Sequence, residues 1–303
     1  MVAFLAILSF LNSEFRIQSS PRLRISPSPV HQTPGDSDML QVQLKPGLKG
    51  GRWAYLRPLC GRDEASIDGT GSIDATQFLD RLLVSTPGTT VGAGKAKELA
   101  ICDCDRLFAA IYLHYFGERV ESNVTCQGCD RPFELSFSLP ELMANLDKVT
   151  TTKATGPDRE GIYTLFDGRQ FRLPTAGDRD SSIGFDLDRA AKTLLERCIV
   201  KGDPTLDPES LQRAMEEVGA VLDVDLDASC PHCQASQTVA FDIQTYVLRA
   251  LAFEKQFLHR EVHRIAVTYG WGYQEILDLS REERRTFVRL IEADRGVQQR
   301  RRS

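Results

Sequence analysis

The sequence predicts an α+β protein, mainly helical, built around a central ribbon of two β-hairpins that are far apart in the chain. Three observations carry this expectation. Two CxxC pairs, Cys126/Cys129 and Cys230/Cys233, each lie between runs in which apolar and polar residues alternate. The two runs align at one constant offset of 104 residues, which pairs Leu135 with Val239, Phe137 with Phe241 and Leu139 with Ile243. Most of the remaining chain places apolar residues at three- and four-residue spacing, the period of an amphipathic helix.

In chain order, residues 1–38 are rich in Ser, Pro and Gln and cannot bury enough apolar surface to fold, so they read as a disordered extension. They are either a tail or lie upstream of a start at Met39. The apolar opening MVAFLAILSFL has no basic flank or cleavage site and is too short to span a bilayer, so no signal peptide is expected. Residues 39–119 form a helical region, with one helix from Asp74 through Phe78, Leu79 and Leu82, and a second from about Asp103 to Tyr115 stopped by Gly117. The ribbon halves are 120–140 and 220–243. Between them, 141–219 is an insertion holding a short hairpin around Asp167-Gly168 and helices at about 187–200 and 208–219, the latter opened by Asp207-Pro208. Residues 244–303 form a C-terminal helical region with a basic tail. A long helix from about Ile243 ends at Tyr269 before Gly270, and Ser280 with Glu283 caps a last helix.

The chemistry lies in the cysteines. Eight in 303 residues are too few for a disulfide scaffold, and two CxxC knuckles are the arrangement expected of metal ligands in a reducing compartment. A knuckle presents two sulfurs to one ion and leaves half of its shell empty, which a second knuckle completes. Cys126, Cys129, Cys230 and Cys233 are therefore the predicted ligands of one structural zinc. Four thiolates leave no open position for a substrate, and neither motif opens a helix as a redox CxxC does.

Other motifs carry less. Cys102 and Cys104 flank Asp103 at a helix start, where the acids suit the helix terminus, and Cys60 and Cys198 read as small core residues. TTVGAG at 89–94 lacks the preceding strand and the Gly-Lys-Ser/Thr order of a phosphate loop, so it reads as a linker. His259 and His263 share a helix face, but the order His-Arg-Glu-Val-His misplaces the general base of a metalloprotease, and an enzyme site around His259, Glu261 and His263 would need a cleft. The last 23 residues hold eight Arg against four acids, yet a net charge of −5 predicts no general affinity for nucleic acid.

Several blocks resemble one family in combination: LRPLCGRDEA at 56–65, CDRLFAAIYLHYFGERVE at 104–121 leading into TCQGCDRPFELSFSL, FRLPTAGD at 171–178, DLDASCPHCQASQTVAFDI, and HREVHRIAVTYGWGYQEILDLSREERRTFVRLIE at 259–292. The family is that of baseplate proteins of T-even-like contractile phage tails and phage-derived contractile injection systems, grouped with a baseplate hub assembly chaperone. Glu261, His263, Tyr269, Gly270, Trp271, Glu275, Ile276 and Leu279 match its closing elements; the N-terminal extension has no counterpart. The resemblance implies a non-enzymatic assembly factor or minor baseplate component, cytoplasmic in a bacterial host or retained in the tail, with hub or wedge proteins as partners. Glu261, His263, Tyr269, Trp271 and Tyr273 are the candidate partner-binding residues. The alternative is a zinc-ribbon regulator that binds nucleic acid; it needs a basic groove, and Arg131 is the nearest cation to the ribbon tips.

Overall fold

The computed structural model describes residues 39–49, 51–148 and 153–300, the last five by backbone alone. The extension expected at 1–38 and the basic side chains at the very end lie outside the described residues.

The described residues open on a hairpin, so the helical region expected over 39–119 holds its helices only after two strands. β1 (Leu40–Leu48) pairs antiparallel with β2 (Gly51–Leu56), Leu40 facing Leu56 and Gln43 facing Trp53, with a register shift between Gln43 and Leu48. Alternating Leu40, Val42 and Leu44 turn one side of β1 toward the core, where Leu44 is fully buried. Then come α1 (Gly61–Ala65), α2 (Ser72–Leu82) and, after a loop that includes Thr89 to Gly94, α3 (Ile101–Phe116). Phe78, Leu79 and Leu82 of α2 pack on Leu107, Phe108 and Ile111 of α3, and Gly117 ends α3 at a φ of 94°.

β3 (Arg119–Thr125) and β4 (Pro132–Ser138) form one antiparallel hairpin, and β9 (Asp223–Ser229) and β10 (Ser236–Asp242) form another. Between them, α4 (Leu139–Asp147) precedes a four-stranded antiparallel sheet in the order β5 (Ala154–Thr155), β6 (Tyr163–Leu165), β7 (Gln170–Phe171) and β8 (Ile199–Lys201). The helix expected to reach residue 200 stops at Cys198, because the β-branched pair Ile199 and Val200 joins the sheet edge with Ile199 opposite Phe171. α5 (Ala176–Asp180) sets Ala176 in the main core, while α6 (Leu187–Cys198) and α7 (Pro208–Val218) make with this sheet a second core around Phe171, Leu194 and Leu211.

α8 (Ile243–Tyr269) runs through two cores. Its first half packs Val247, Leu248 and Leu251 into the main core, and its second half packs Leu258, Val262 and Ile265 against α9 (Tyr273–Asp278) and α10 (Arg281–Arg300). Each such side chain contributes about 1.5–3 kcal/mol on burial. Gly270, at a φ of 72°, lets the chain leave the helix, and Ser280 and Glu283 cap α10 reciprocally. Helix outweighs strand, 48% to 23%, so the architecture is mixed and mainly helical.

Buried charge ties these layers together. Arg284 is fully buried and donates to Glu64 of α1 and, at 3.1 Å, to Glu261 of α8. Asp103 and Asp105 lie in the first turns of α3 and accept from the amides of other segments: Asp103 from Lys45 and Gly47, Asp105 from Leu222. Asp105 also accepts from Gln244, whose carbonyl oxygen in turn accepts from buried Arg179. Burial pushes the Asp103 carboxyl up to about 6 and that of Asp105 up to about 7, against the pull of these donors.

Two outcomes test this interior. Arg284→Ala leaves Glu64 buried without its cation and Glu261 with only its longer contact to Arg285, and should cost about 3–5 kcal/mol, whereas Arg62→Ala, which breaks an exposed pair with Asp278, should cost far less. Urea denaturation of the two variants measures both, and equal losses would contradict the ranking by burial. The raised carboxyl of Asp105 means that the folded state holds a proton the unfolded chain has lost, from a pH of about 4 up to about 7. Its contribution is therefore fully present below about pH 4 and is lost as pH rises through about 7. The stability difference between the wild type and Asp105→Asn, followed by denaturation across that window, should change with pH in this sense; a constant difference would refute it.

Candidate metal centre

The four cysteines of the two knuckles converge at the hairpin tips. Their sulfurs all lie within 4.8 Å of one another, with Cys126 Sγ 3.5 Å from Cys233 Sγ and Cys129 Sγ 3.8 Å from Cys230 Sγ. A disulfide needs about 2.05 Å, so these are four separate thiols. A tetrahedron with metal–sulfur bonds of about 2.3 Å has sulfur–sulfur edges of about 3.8 Å, and the observed separations fit that size.

The sequence builds both tips in the same way. In the first, the Cys126 amide donates to Arg131 O and the Asp130 amide to Cys126 O; in the second, the Cys230 amide donates to Ala235 O and the Gln234 amide to Cys230 O. Asp130 and Gln234, 104 residues apart, both take positive φ, 55° and 61°, so that the chain can turn back under the second cysteine. The Gly128 and His232 amides point at Cys126 Sγ and Cys230 Sγ, at 3.3 and 3.4 Å, as donors that favour a thiolate. Gly128 leaves little room for a side chain, since a Cβ there would sit 3.1 Å from Ala235 Cβ and push it aside.

Burial opposes charge at Cys230, but the Cys233 and His232 amides and the thiols of Cys126 and Cys129 donate to it and bring it down to about 6. Cys129 moves the other way. The Arg131 amide favours its thiolate, but burial and the crowd of Cys233, Cys126 and Cys230 outweigh that and push it up to about 12. Four thiols this close cannot all ionise unaided, and a divalent cation among them removes the conflict. The donor set, its size and its supporting amides thus fit one soft divalent metal ion.

Phe133 and Ala228 are buried beneath the tips, and Val124, Leu135 and Val239 pack against them. The two hairpins are also joined by Gln237, half-buried on β10, which accepts from the Gln127 amide at 2.8 Å and donates to Thr125 O at 3.2 Å. Sequence reasoning missed Gln237. Its only signal is a break in the repeat, since the position 104 residues earlier is the apolar Phe133.

The remaining candidates separate. Glu261 faces inward, with burial pushing its carboxyl up against the pull of Arg284, while His263 and His259 lie exposed on the opposite side of α8. His259, Glu261 and His263 therefore share no cleft, and Glu261 is engaged inside the molecule and not offered to a partner. Tyr269 and Trp271 are exposed and pack with Phe287 of α10, the three ring centroids 5.0–5.7 Å apart, and Tyr273 is exposed beside them. Cys102, Cys104 and Cys198 are buried, and burial pushes their thiols up, which suits inert core residues; Cys60 is half-buried and precedes α1. Among the described residues no helix is long and apolar enough to cross a membrane.

Gln237→Ala should lower stability by about 1 kcal/mol through loss of the cross-hairpin bridge while leaving the metal content unchanged. Urea denaturation beside elemental analysis reads both, and loss of metal on this substitution would mean that the amide bridge, not the thiol set, organises the site. Comparison of the chain with family models, with curated proteins and with solved structures finds no match, so its function is argued from its own residues.

Proposed function

We propose that the chain is a non-enzymatic assembly factor or minor component of a contractile tail baseplate or hub, in a phage or a related injection system, held in shape by one structural zinc. The observation that carries the zinc is the closed set of Cys126, Cys129, Cys230 and Cys233, with sulfurs within 4.8 Å and no position left for a substrate. In this reading the two hairpins are the halves of a zinc ribbon. The baseplate assignment is supported by the order of the blocks from Leu56 to Glu292 that resemble that family. An exposed aromatic corner of Tyr269, Trp271 and Tyr273 after a rigid helix suits a protein that works by contact. Hub or wedge proteins are its partners, and the bacterial cytoplasm or the assembled tail is its place.

The alternative, a zinc-ribbon regulator binding nucleic acid, fares worse on charge. Beside Arg119 and Arg131, the hairpin strands carry Glu121, Glu134, Asp223, Asp225 and Asp227, so the ribbon offers no basic groove.

Co-expression with candidate hub and wedge proteins, followed by native mass spectrometry, tests both parts. The expected result is one zinc per chain and a stable complex; Cys126→Ser and Cys230→Ser should each lose the zinc, and acidification should release it as protons reclaim the thiolates. A zinc-loaded chain that binds none of those proteins would refute the assembly role. A chain without zinc would refute the ribbon.

A further inference from the structure

α8 has an outer face that sets exposed aromatic rings beside cationic side chains. Phe253, Phe257 and Val267 stand 41%, 39% and 65% exposed along it, and the phenyl rings of the first two lie 6.2 Å apart, edge to face. Set among them are the exposed cations and imidazoles of His259, Arg260 and His263, with the Arg260 guanidinium 5.9 Å from the Phe257 ring. His259, Arg260 and His263, with Arg264, line a shallow groove of about 420 Å³.

The acids of α8 explain the asymmetry. Glu254 and Glu261 are its only carboxylates, and both turn inward to the arginines of α10, Glu254 to Arg281 and Arg285 and Glu261 to Arg284 and Arg285. The carboxylate that the described contacts bring to the outer face is Glu292 of α10, and Arg264 already holds it. A chain of net charge −5 thus gathers an acid-poor, basic and aromatic strip along one helix.

We infer that this face docks an acidic amphipathic helix of a partner protein, a conclusion that rests on the assembly role proposed above and names the chemistry of the partner. The apolar side chains recur at spacings of four and ten residues, so they line one side of α8 from Phe253 to Val267, a length of about 21 Å. A partner helix of about four turns covers that length with its own apolar row while its carboxylates meet Arg260 and the histidines. A nucleic acid would use the cations alone and leave Phe253 and Phe257 in water, which is why the helix is the better fit.

The test uses the zinc-loaded full chain and two probes. The first is a labelled synthetic helix of about 14 residues with Leu and Phe along one face and Glu elsewhere, set against the same peptide with Lys for Glu. Fluorescence anisotropy should show binding of the acidic peptide alone, weakened at least tenfold by Phe257→Ala and by Arg260→Glu, both exposed changes that leave zinc content and melting temperature unchanged. Equal binding of the Lys peptide, binding indifferent to both substitutions, or displacement of the acidic peptide by duplex DNA or phosphatidylglycerol vesicles at lower concentration would overturn it. The second probe is the hub or wedge complex itself. A complex that forms and ignores both substitutions overturns the face while sparing the assembly role; if no complex forms, the assembly role falls and the peptide result alone decides the face.

Discussion

Cys126 and Cys129 meet Cys230 and Cys233 only if the chain closes a loop of about a hundred residues, and that closure costs about 4–5 kcal/mol in chain entropy. The small cluster under the tips, Phe133 and Ala228 with partly buried neighbours, is a weak counterweight. A thiolate-bound zinc is a strong one, worth about 10–16 kcal/mol in zinc-finger peptides near neutral pH. Metal binding in the proposed ribbon would therefore outweigh the closure cost severalfold and fix the ends of the intervening sheet and helices as well. That insertion gathers its core around Phe171 and Leu194 together with Ala100, Ile101 and Cys102 at the start of α3, so it is docked on the main body as well as held at its ends.

The second anchor is polar. Leu222 immediately precedes β9 and Asp242 ends β10, so together they mark the base of the second hairpin. Asp105 of α3 holds the Leu222 amide and, through Gln244, the first turn of α8, while Asp242 caps that same turn by accepting from the Gln244 and Thr245 amides. The thiols join the tip of this hairpin to its partner, and the carboxylates join its base to the main core. A hairpin held at both ends is a lever arm, and α8, which continues directly from it, inherits a fixed direction.

Much of this was legible because it is local. Alternation around the CxxC pairs marks the hairpins, and the 104-residue offset extends further than the strands: Ser138 and Asp242, its equivalents at the hairpin ends, each cap the helix that follows. The helix after Ser138 was missed, although Ser138, Pro140 and Glu141 are a cap, a first-turn proline and a first-turn acid. β1 and β2 were missed although Leu40, Val42 and Leu44 alternate with Gln41, Gln43 and Lys45, because that run is short, Pro46 and Gly47 interrupt it, and β1 breaks register after Gln43. What no local pattern carries is the pairing of Arg284 with Glu64, 220 residues away, or the inward turn of Glu261. A glutamate on an amphipathic helix reads as solvent-facing until the arginines that it answers are placed by the tertiary fold.

Those inward pairs also shape the surface. α10 is rich in arginine, and by turning Arg281, Arg284 and Arg285 toward α8 it draws the carboxylates of that helix to the buried side. Replacing such pairs with apolar groups would often stabilise a core as well or better. Here the pairing does something that apolar residues cannot: it removes negative charge from the far side of α8 and leaves Arg260, His259 and His263 beside Phe253 and Phe257. The same interaction that packs the C-terminal helices therefore polarises the helix that the two hairpin anchors have already aimed, and interior electrostatics, not the exposed residues alone, decides what kind of partner that face can accept.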